Sequence, residues 1–140
     1  MLKSLTSLGY RNDVLTIDEA SVLAHQYEEV TEGTRHGHRT WFVAGKAFMW
    51  ERPFSKADLK RMGGQAAPEG PIVALCVEDL DDKQAALAAH PRSFFTIEHF
   101  EGYAAVLVQL NVATKREMKV AIRDAWLASA PARLSARYVR

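Results

Sequence analysis

The feature that most constrains the fold is the stretch of residues 30–51, VTEGTRHGHRTWFVAGKAFMWE, in which a polar segment leads into two short aromatic strands. Gly45 and Lys46 fall where a two-residue loop would join these strands, and glycine there supplies the positive φ of a type II′ turn. The segment before Trp41 is interpreted as a polar, glycine-containing approach to the hairpin. The sequence therefore predicts one antiparallel hairpin in this region.

The aromatic side chains of this hairpin need a surface to pack against. Alternation along a strand puts Trp41 and Val43 on one face of the first strand, and Phe48 and Trp50 on one face of the second. Because an isolated hairpin is only marginally stable in water, these side chains must dock on other elements. Most of the remaining chain is expected to form the body that receives them.

Helix-capping signals define four predicted helices. A threonine or serine precedes an acidic residue by three positions at Thr16, Ser55 and Thr114, which is the capping-box pattern, and Asp81 provides a fourth cap. The predicted helices cover residues 16–28, 55–64, 81–89 and 114–130. The helix that begins at Asp81 is expected to turn three residues inward, namely Ala85, Leu87 and Ala88. The last and longest helix has an apolar stripe that is expected to pack on the sheet, formed by Met118, Ile122, Ala125 and Trp126.

Three further segments are predicted to be extended. Residues 72–77 are apolar on both faces, as in a central strand that is covered on both sides. Residues 104–110 alternate between two faces, and residues 94 and 95 form a short extended piece before a turn at Gly102. A chain of this length with tight turns between consecutive strands favours antiparallel pairing.

Length and composition indicate one globular domain. The chain has 140 residues, of which 48% are apolar and 25% charged. With helices at both ends of the strand-rich region, these proportions predict an α+β two-layer sandwich, mostly antiparallel, with helices on one face of the sheet. Residues 16–140 form the domain, and residues 1–15 are expected to be a tail or a short helix.

The distribution of charge is more informative than its total. Eighteen basic and seventeen acidic residues give a net charge of +1, but residues 115–140 alone carry +5, which leaves −4 on the other 114 residues. The single cysteine, Cys76, excludes an intramolecular disulfide and is expected to be a small buried hydrophobe. No secretory segment and no membrane span are indicated, so a cytoplasmic location is expected.

Several motifs in this order resemble those of the MmcQ/YjbR family. The matching pieces include FVAGKAF at residues 42–48, FTIEHFEGY at residues 95–103, DAW at residues 124–126 and the APARL ending at residues 130–134. The family-motif residues with the most distinctive positions are Glu32, Gly33, His36, Gly37, His99, Gly102 and Tyr103. The similarity extends over residues 16–136, which is nearly the whole domain.

The resemblance implies a fold and a function. Proteins of this family have a frataxin-like (CyaY-like) α+β sandwich, and the family is described as DNA-binding through a pair of hairpin wings. The resemblance transfers neither a catalytic residue nor a cofactor, so a non-enzymatic protein without cofactor or metal is expected. Ala104 stands where many relatives have proline. His36 and His99 are expected to have structural roles at the edge of the site.

The basic residues of the hairpin and of the last long helix are the predicted nucleic-acid contacts. At 100° per residue, the four cations in the first half of that helix share about a third of its circumference, and Lys46 would lie at the tip of the hairpin. Such a surface would neutralise backbone phosphates without reading sequence. The predicted phosphate contacts are Arg39, Lys46, Lys115, Arg116, Lys119 and Arg123.

Other functions remain open at this stage. His36 and His38 with Glu32 present ligand types that a divalent metal accepts, although a turn explains them equally well. His99 could act as a general base, but no nucleophile motif accompanies it. One of the three tryptophans could be an exposed platform on which bases stack.

The principal alternative is a small, non-enzymatic module. It would bind a protein or a small ligand between the hairpin and the helix, as a monomer or a weak homodimer. An exposed apolar patch would favour this module, whereas an exposed basic groove would favour nucleic acid.

Overall fold

The structure is a computed structural model that describes residues 15–138. The predicted tail or short helix at the N-terminus lies, except for Leu15, outside the described residues. The helices are α1 (Ile17–Ala24), α2 (Lys56–Arg61), α3 (Leu80–Ala89), α4 (Lys115–Ser129) and α5 (Ala132–Ser135). The strands are β1 (Val30–Arg35), β2 (His38–Val43), β3 (Lys46–Glu51), β4 (Ile72–Cys76), β5 (Phe94–Phe95) and β6 (Ala105–Gln109), and a 3₁₀ turn spans Glu98–Phe100.

The six strands form one sheet with the order β1-β2-β3-β4-β6-β5, in which every neighbouring pair is antiparallel. Strands β4 and β5 both pair with β6, so they run parallel to each other with β6 between them. Helix α3 connects them as a crossover. The predicted α+β class with a mostly antiparallel sheet is confirmed.

The main core lies between one face of the sheet and helices α1, α3, α4 and α5, of which α5 contributes Leu134. Helices α1 and α4 bury apolar side chains on one sheet face, and α3 adds partly buried residues to the same cluster. The predicted inner stripe of α4 is confirmed, because Met118, Ile122, Ala125 and Trp126 are all buried. A smaller cluster around Ile72 and the 3₁₀ turn covers part of the opposite face. We call that opposite face the outer face.

The capping boxes form as expected. Thr16, Ser55 and Thr114 each accept a hydrogen bond from the backbone N–H three residues ahead, and the acidic side chain at that position accepts one from the cap backbone. Helix α1 ends earlier than predicted, at Ala24, and the chain reaches the sheet through Glu29 at φ 57°. The fourth predicted cap is wrong, because Asp79 and not Asp81 accepts the capping hydrogen bond from the backbone N–H of Asp82, and α3 begins at Leu80.

The predicted polar approach to the hairpin is wrong, because it is a strand. Strand β1 pairs with β2 over its whole length, from Val30 opposite Val43 to Arg35 opposite His38. His36 and Gly37 form the two-residue loop between them, with φ values of 54° and 80°. Two positive φ values identify a type I′ turn, so the region is a three-stranded meander.

The turn between β2 and β3 also differs from the prediction. The loop residues are Ala44 and Gly45, with φ of 49° and 84°, and Lys46 already pairs with Val43. Both φ values are positive, as in a type I′ turn and unlike the predicted type II′ turn. Left-handed backbone is sterically unfavourable for alanine. Ala44 nevertheless adopts it, because the twist of a type I′ turn matches the twist of the two strands that it joins.

A β-bulge reverses the predicted faces of β3. The register shifts between Trp41 opposite Met49 and Phe42 opposite Ala47, which leaves Phe48 as the extra residue. Phe48 and Met49 are therefore both buried in the main core, whereas Trp50 packs on the outer face. The expectation that Phe48 and Trp50 share a face is wrong for this reason.

The inner face of α3 was predicted correctly for Leu87 and incorrectly for Ala85 and Ala88. Ala85 and Ala88 are exposed, and Lys83 is the buried residue of this helix. Ala86 and Leu87 pack against the main core. The helix is rotated so that a lysine, whose ammonium finds backbone acceptors, points inward in place of alanine.

Asp58 holds α2 to the end of β3 through a buried ion pair. Its side chain is 1% exposed and accepts hydrogen bonds from Arg52 at 2.7 Å and Arg61 at 3.2 Å. Burial raises the pKa of Asp58, but the hydrogen bonds from Arg52 and Ser55 outweigh it and lower the pKa to about 2. The charged form is therefore the one that the fold stabilises.

We expect Asp58→Asn to lower the free energy of unfolding by about 2 kcal/mol at pH 7, since its pKa lies below the ordinary value of 3.8. A lowered carboxyl pKa stabilises the fold above pH 3.8, and that contribution is lost as the pH falls toward 2. Urea unfolding at a series of pH values measures this. The exposed change Glu69→Gln is the control, and a difference between wild type and Asp58→Asn that does not shrink below pH 3.8 would contradict the assignment.

Candidate nucleic-acid interface

A cleft opens where β3 begins, β4 ends and α4 makes its last turn. We call it the β3–α4 cleft, and it has a volume of about 350 Å³. Its polar and aromatic lining comes from seven residues, which are Arg35, Lys46, Trp50, Cys76, Glu78, Tyr103 and Ser129. It lies between the hairpin and the helix, where the sequence suggested a ligand site.

One wall of the cleft combines aromatic rings with positive charge. The guanidinium carbon of Arg35 lies 5.5 Å from the centre of the Trp50 ring, in cation–π geometry. The Trp50 and Tyr103 rings are 6.5 Å apart, and Tyr103 is 48% exposed. Lys46 is exposed beside them. We call these four residues, Arg35, Lys46, Trp50 and Tyr103, the aromatic–cationic surface.

Lys83 positions the turn that carries Tyr103. Its ammonium donates to the carbonyl oxygen of Phe100 at 2.6 Å and to that of Tyr103 at 2.8 Å. Burial lowers the pKa of Lys83. His99, for which the sequence suggested a structural role, is exposed, and Gly102 adopts φ 74° in the turn itself. Lys83 went unnoticed, although its spacing with Ala86 and Leu87 places all three on one helical face.

The floor of the cleft contains two polar side chains. The Cys76 thiol donates weakly to the carbonyl oxygen of Ala47 at 3.6 Å, and burial raises its pKa. Ser129 is 7% exposed, and its hydroxyl lies against the Cys76 thiol, where their side-chain hydrogen bond lowers the pKa of Cys76 and opposes the effect of burial.

A second cleft continues the same face of the sheet. It has a volume of about 470 Å³ and shares Arg35 and Trp50 with the first. It adds His36, His38, Arg52 and one carboxylate, that of Glu51. The Arg52 guanidinium stacks on Phe100 at 5.5 Å. The outer face of β2 and β3 thus presents a line of cationic and aromatic groups across two adjoining clefts.

Arg39 lies on the opposite face of the sheet and is engaged by carboxylates. Its Nε and Nη2 bind Glu32 at 2.7 and 3.2 Å, and its Nη1 binds Asp18 of α1 at 2.8 Å. The hydrogen bond from Arg39 lowers the pKa of Glu32, and the one from Glu32 raises that of Arg39. The guanidinium also stacks on Trp41 at 5.2 Å. Arg39 therefore fastens α1 to β1 and β2.

The predicted cations of α4 form a separate patch. Lys115, Arg116 and Lys119 are exposed, and none of them forms an ion pair with a described residue. Arg123 pairs with Asp124 at 3.1 Å. The start of α4 is about 20 Å from its last turn at a rise of about 1.5 Å per residue. Of the six predicted phosphate contacts, only Lys46 lies at the β3–α4 cleft.

The remaining family-motif residues have structural positions. Glu32 belongs to the Arg39 ion pair, and His36 with Gly37 forms the first type I′ turn. A Cβ atom on Gly33 would lie 3.3 Å from the Phe42 ring, which favours glycine there. No group of three or more histidine, cysteine, aspartate or glutamate residues within residues 15–138 is arranged to hold a metal ion.

The helical face carries a groove of opposite character. The α3–α4 groove has a volume of about 540 Å³, with an apolar floor that includes Leu75, Val106 and Leu127. Its charged lining is acidic, because it contains Glu78, Asp82, Glu117 and Asp124 and no lysine or arginine. His90 pairs with Glu117 at 3.2 Å on its edge.

A solved structure defines the class of fold. The chain superimposes on the crystal structure of Deinococcus radiodurans protein DR2400, which contains a DUF419 domain, with a TM-score of 0.57 over 84% of this chain and 80% of that one. The sequences are 13% identical, so the likeness concerns the fold. No helix within residues 15–138 has the length and apolar character of a membrane span.

Sequence relatives define the family more closely. The chain matches no protein-family model. It is 41% identical over 96 residues to the uncharacterized proteins Rv2570 of Mycobacterium tuberculosis and Mb2600 of Mycobacterium bovis, covering 67% of this chain and 74% of each relative. The chain belongs to the family of these mycobacterial proteins.

We expect Lys83→Met to lower the free energy of unfolding by about 1–3 kcal/mol, because the carbonyl oxygens of Phe100 and Tyr103 lose a charged donor in a buried place. Chemical denaturation measures the loss. Lys60→Met, at an exposed position of α2, is the matched control and should stay within about 0.5 kcal/mol of wild type. Equal stability of the two variants would show that Lys83 does not support the turn.

Proposed function

We propose that this protein binds single-stranded nucleic acid at the aromatic–cationic surface. The observation that carries the proposal is the arrangement of Arg35 over Trp50 beside the half-exposed Tyr103. Proteins that bind single strands combine aromatic rings, on which bases stack, with cations that follow the backbone. The two clefts on the outer face provide both along one line.

The charges favour contact with phosphate at this face. Arg35 and Lys46 are exposed and form no ion pair with a described residue, and together they outnumber Glu78, the one carboxylate that also lines the β3–α4 cleft. Arg39 is not part of the proposed interface, because two carboxylates already neutralise its charge. The patch of Lys115, Arg116 and Lys119 is a secondary contact for strands long enough to reach it.

Single strands fit this face better than duplex. Stacking on Trp50 and Tyr103 requires unpaired bases, because duplex bases already stack on each other. The apolar stripe of α4 is buried in the core, so only the side of the helix next to that stripe can contact a nucleic acid. With a net charge of +1, the affinity should be modest and should depend strongly on salt.

Membership of the MmcQ/YjbR family is part of this proposal. It is supported by the ordered sequence motifs and by the fold shared with DR2400, whose DUF419 domain is of the YjbR/MmcQ-like kind. A DNA-binding role and a cytoplasmic location follow from that family, and the outer face gives the role a physical basis.

We expect Tyr103→Ala to weaken the binding of labelled single-stranded oligonucleotides about fivefold to 100-fold, which is the range for the loss of one base–aromatic stack. Arg35→Gln/Lys46→Gln should reduce the slope of log affinity against log salt by up to about 1.4, since each lost phosphate contact contributes about 0.7. Fluorescence anisotropy across a salt series measures both, with Lys56→Gln/Lys60→Gln as the charge-matched control.

Two results would overturn the proposal. One is the absence of binding to single-stranded DNA and RNA at low salt. The other is duplex binding that is as tight as single-strand binding and insensitive to Tyr103→Ala. A slope reduced equally by the control pair would show that only the total charge matters.

A second candidate function is a non-enzymatic interaction module. It is favoured by the α3–α4 groove, whose apolar floor and four carboxylates would suit an amphipathic peptide that carries lysine or arginine. This partner is opposite in charge to nucleic acid and would use the other face of the sheet. The two candidates can therefore be separated by mutation.

We expect a cationic amphipathic peptide to shift the NMR signals of Val120 and Leu127 if this second function operates, and Ala121→Lys should abolish the shifts by placing a positive charge in the acidic groove. Tyr103→Ala should leave them unchanged because Tyr103 lies outside the groove. An anionic peptide of the same apolar pattern is the control, and equal shifts with both peptides would argue against a charge-selective groove.

A further inference from the structure

We propose that a single strand crosses the outer face from the β3–α4 cleft to a third cleft at the β5 edge of the sheet, where Arg92 contacts a phosphate. This inference rests on the proposed function and deepens it, because it gives the bound strand a direction and a minimum length. It also adds one phosphate contact that the sequence did not suggest.

The strand register places aromatic side chains at both ends of one row across the outer face. Trp50 of β3 lies opposite Ala74 of β4. Ala74 lies opposite Leu107 of β6, and Leu107 lies opposite Phe95 of β5. All four side chains belong to the cluster of the outer face. Three spacings of about 4.8 Å between neighbouring strands separate the two ends of the row by about 14 Å.

The third cleft lies at the far end of this row. It has a volume of about 480 Å³ and is bounded by residues of α2 on one side and by residues that flank β5 on the other. Phe54 lines both this cleft and the second cleft, and its ring is 6.0 Å from that of Phe95. The three clefts therefore adjoin in series, with Trp50 at the first junction and Phe54 at the second.

Arg92 is the cation of the third cleft whose charge is available to a phosphate. It is exposed and forms no ion pair with a described residue. Arg61 also lines the cleft, but it already binds the buried carboxylate of Asp58. Glu98 is an exposed carboxylate in the same lining and opposes the binding of phosphate there. The two exposed charges of this cleft therefore act in opposite directions on a bound strand.

The charges around the β3–α4 cleft determine which way the strand leaves it. The end of β4 separates this cleft from the α3–α4 groove, because Cys76, Val77 and Glu78 line both. Glu78 and the other three carboxylates of the groove repel phosphate on that side. A strand that binds beside Arg35 and Lys46 is therefore directed away from the groove, toward the second and third clefts.

The far end of this path lies close to the basic patch of α4. The hydroxyl of Ser93, the residue after Arg92, donates to the carboxylate of Glu117 at 3.1 Å, which holds the β5 edge against the start of α4. A strand that continues past Arg92 therefore approaches the exposed side chains of Lys115 and Arg116. The path connects the basic hairpin with the basic helix, which lie apart in the structure.

The length of the ligand tests this path. A stacked strand advances about 3.4 Å per nucleotide, so about four nucleotides span the row from Trp50 to Phe95. The experiment measures how well oligothymidylates and oligouridylates of two, four, six and ten nucleotides displace a labelled single strand, by fluorescence anisotropy. The proteins are wild type, Arg92→Gln, Glu98→Gln and the charge-matched control Lys56→Gln, whose lysine lines none of the three clefts.

We expect the affinity to rise about tenfold or more between two and six nucleotides, because only the longer strand gains the stacking and phosphate contacts of the third cleft. For six nucleotides, Arg92→Gln should reduce the slope of log affinity against log salt by about 0.7, whereas the dinucleotide should not distinguish it from wild type. Glu98→Gln should strengthen the binding of six nucleotides. Opposite effects of two changes in one cleft exclude a general loss of folding as their cause.

The outcomes separate this inference from the proposed function. Binding of six nucleotides that Tyr103→Ala weakens and Arg92→Gln does not would overturn the path and leave the proposed function standing. Equal affinities for two and six nucleotides, or equal effects of Arg92→Gln and Lys56→Gln, would also overturn the path. Absence of binding at every length would overturn both.

Discussion

The bulge at Phe48 is the constraint on which the candidate site depends. The core between the sheet and α4 takes two consecutive residues of β3, Phe48 and Met49, and regular alternation allows only one of them to point inward. Because Phe48 is an extra residue in the strand, both side chains can point inward. Each residue after the bulge then points to the face opposite the one that regular alternation would give it. Trp50 is consequently moved from the core side to the outer face, where Arg35 stacks on it. A core-packing requirement therefore creates the aromatic wall of the cleft.

The different roles of Arg35 and Arg39 follow from their positions in the same sheet. Arg35 and Arg39 lie on neighbouring strands, but on opposite faces. On the helical side, acidic residues of α1 and β1 neutralise Arg39 and make it part of the scaffold. On the outer side, Arg35 stacks on Trp50 and forms no ion pair with a described residue, so its charge stays available. Two arginines that look equivalent in the sequence therefore differ in whether the fold has already used their charge.

The sequence predicted the features that depend on local chemistry. The capping boxes, the α4 stripe, the α+β class and the short extended piece at Phe94 follow from neighbouring residues, and the structure confirms them. The errors concern features decided by distant contacts. Strand β1 is polar because it is an edge strand, the bulge depends on what α4 requires, and Lys83 is buried because carbonyls 17 and 20 residues away accept its ammonium. The candidate cleft joins β1, β3, β4 and α4, so no single stretch of sequence could indicate it.

The two edges of the sheet explain how so small a β-rich chain can avoid pairing with its own copies. One edge is β1, whose exposed residues include Glu32 and Arg35, and the other is β5, which has only two residues. An incoming strand cannot form a continuous ladder of backbone hydrogen bonds at either edge, because β1 carries charged side chains and β5 is too short. The sheet can thus keep an apolar and aromatic outer face open to a ligand without exposing an edge that would seed aggregation.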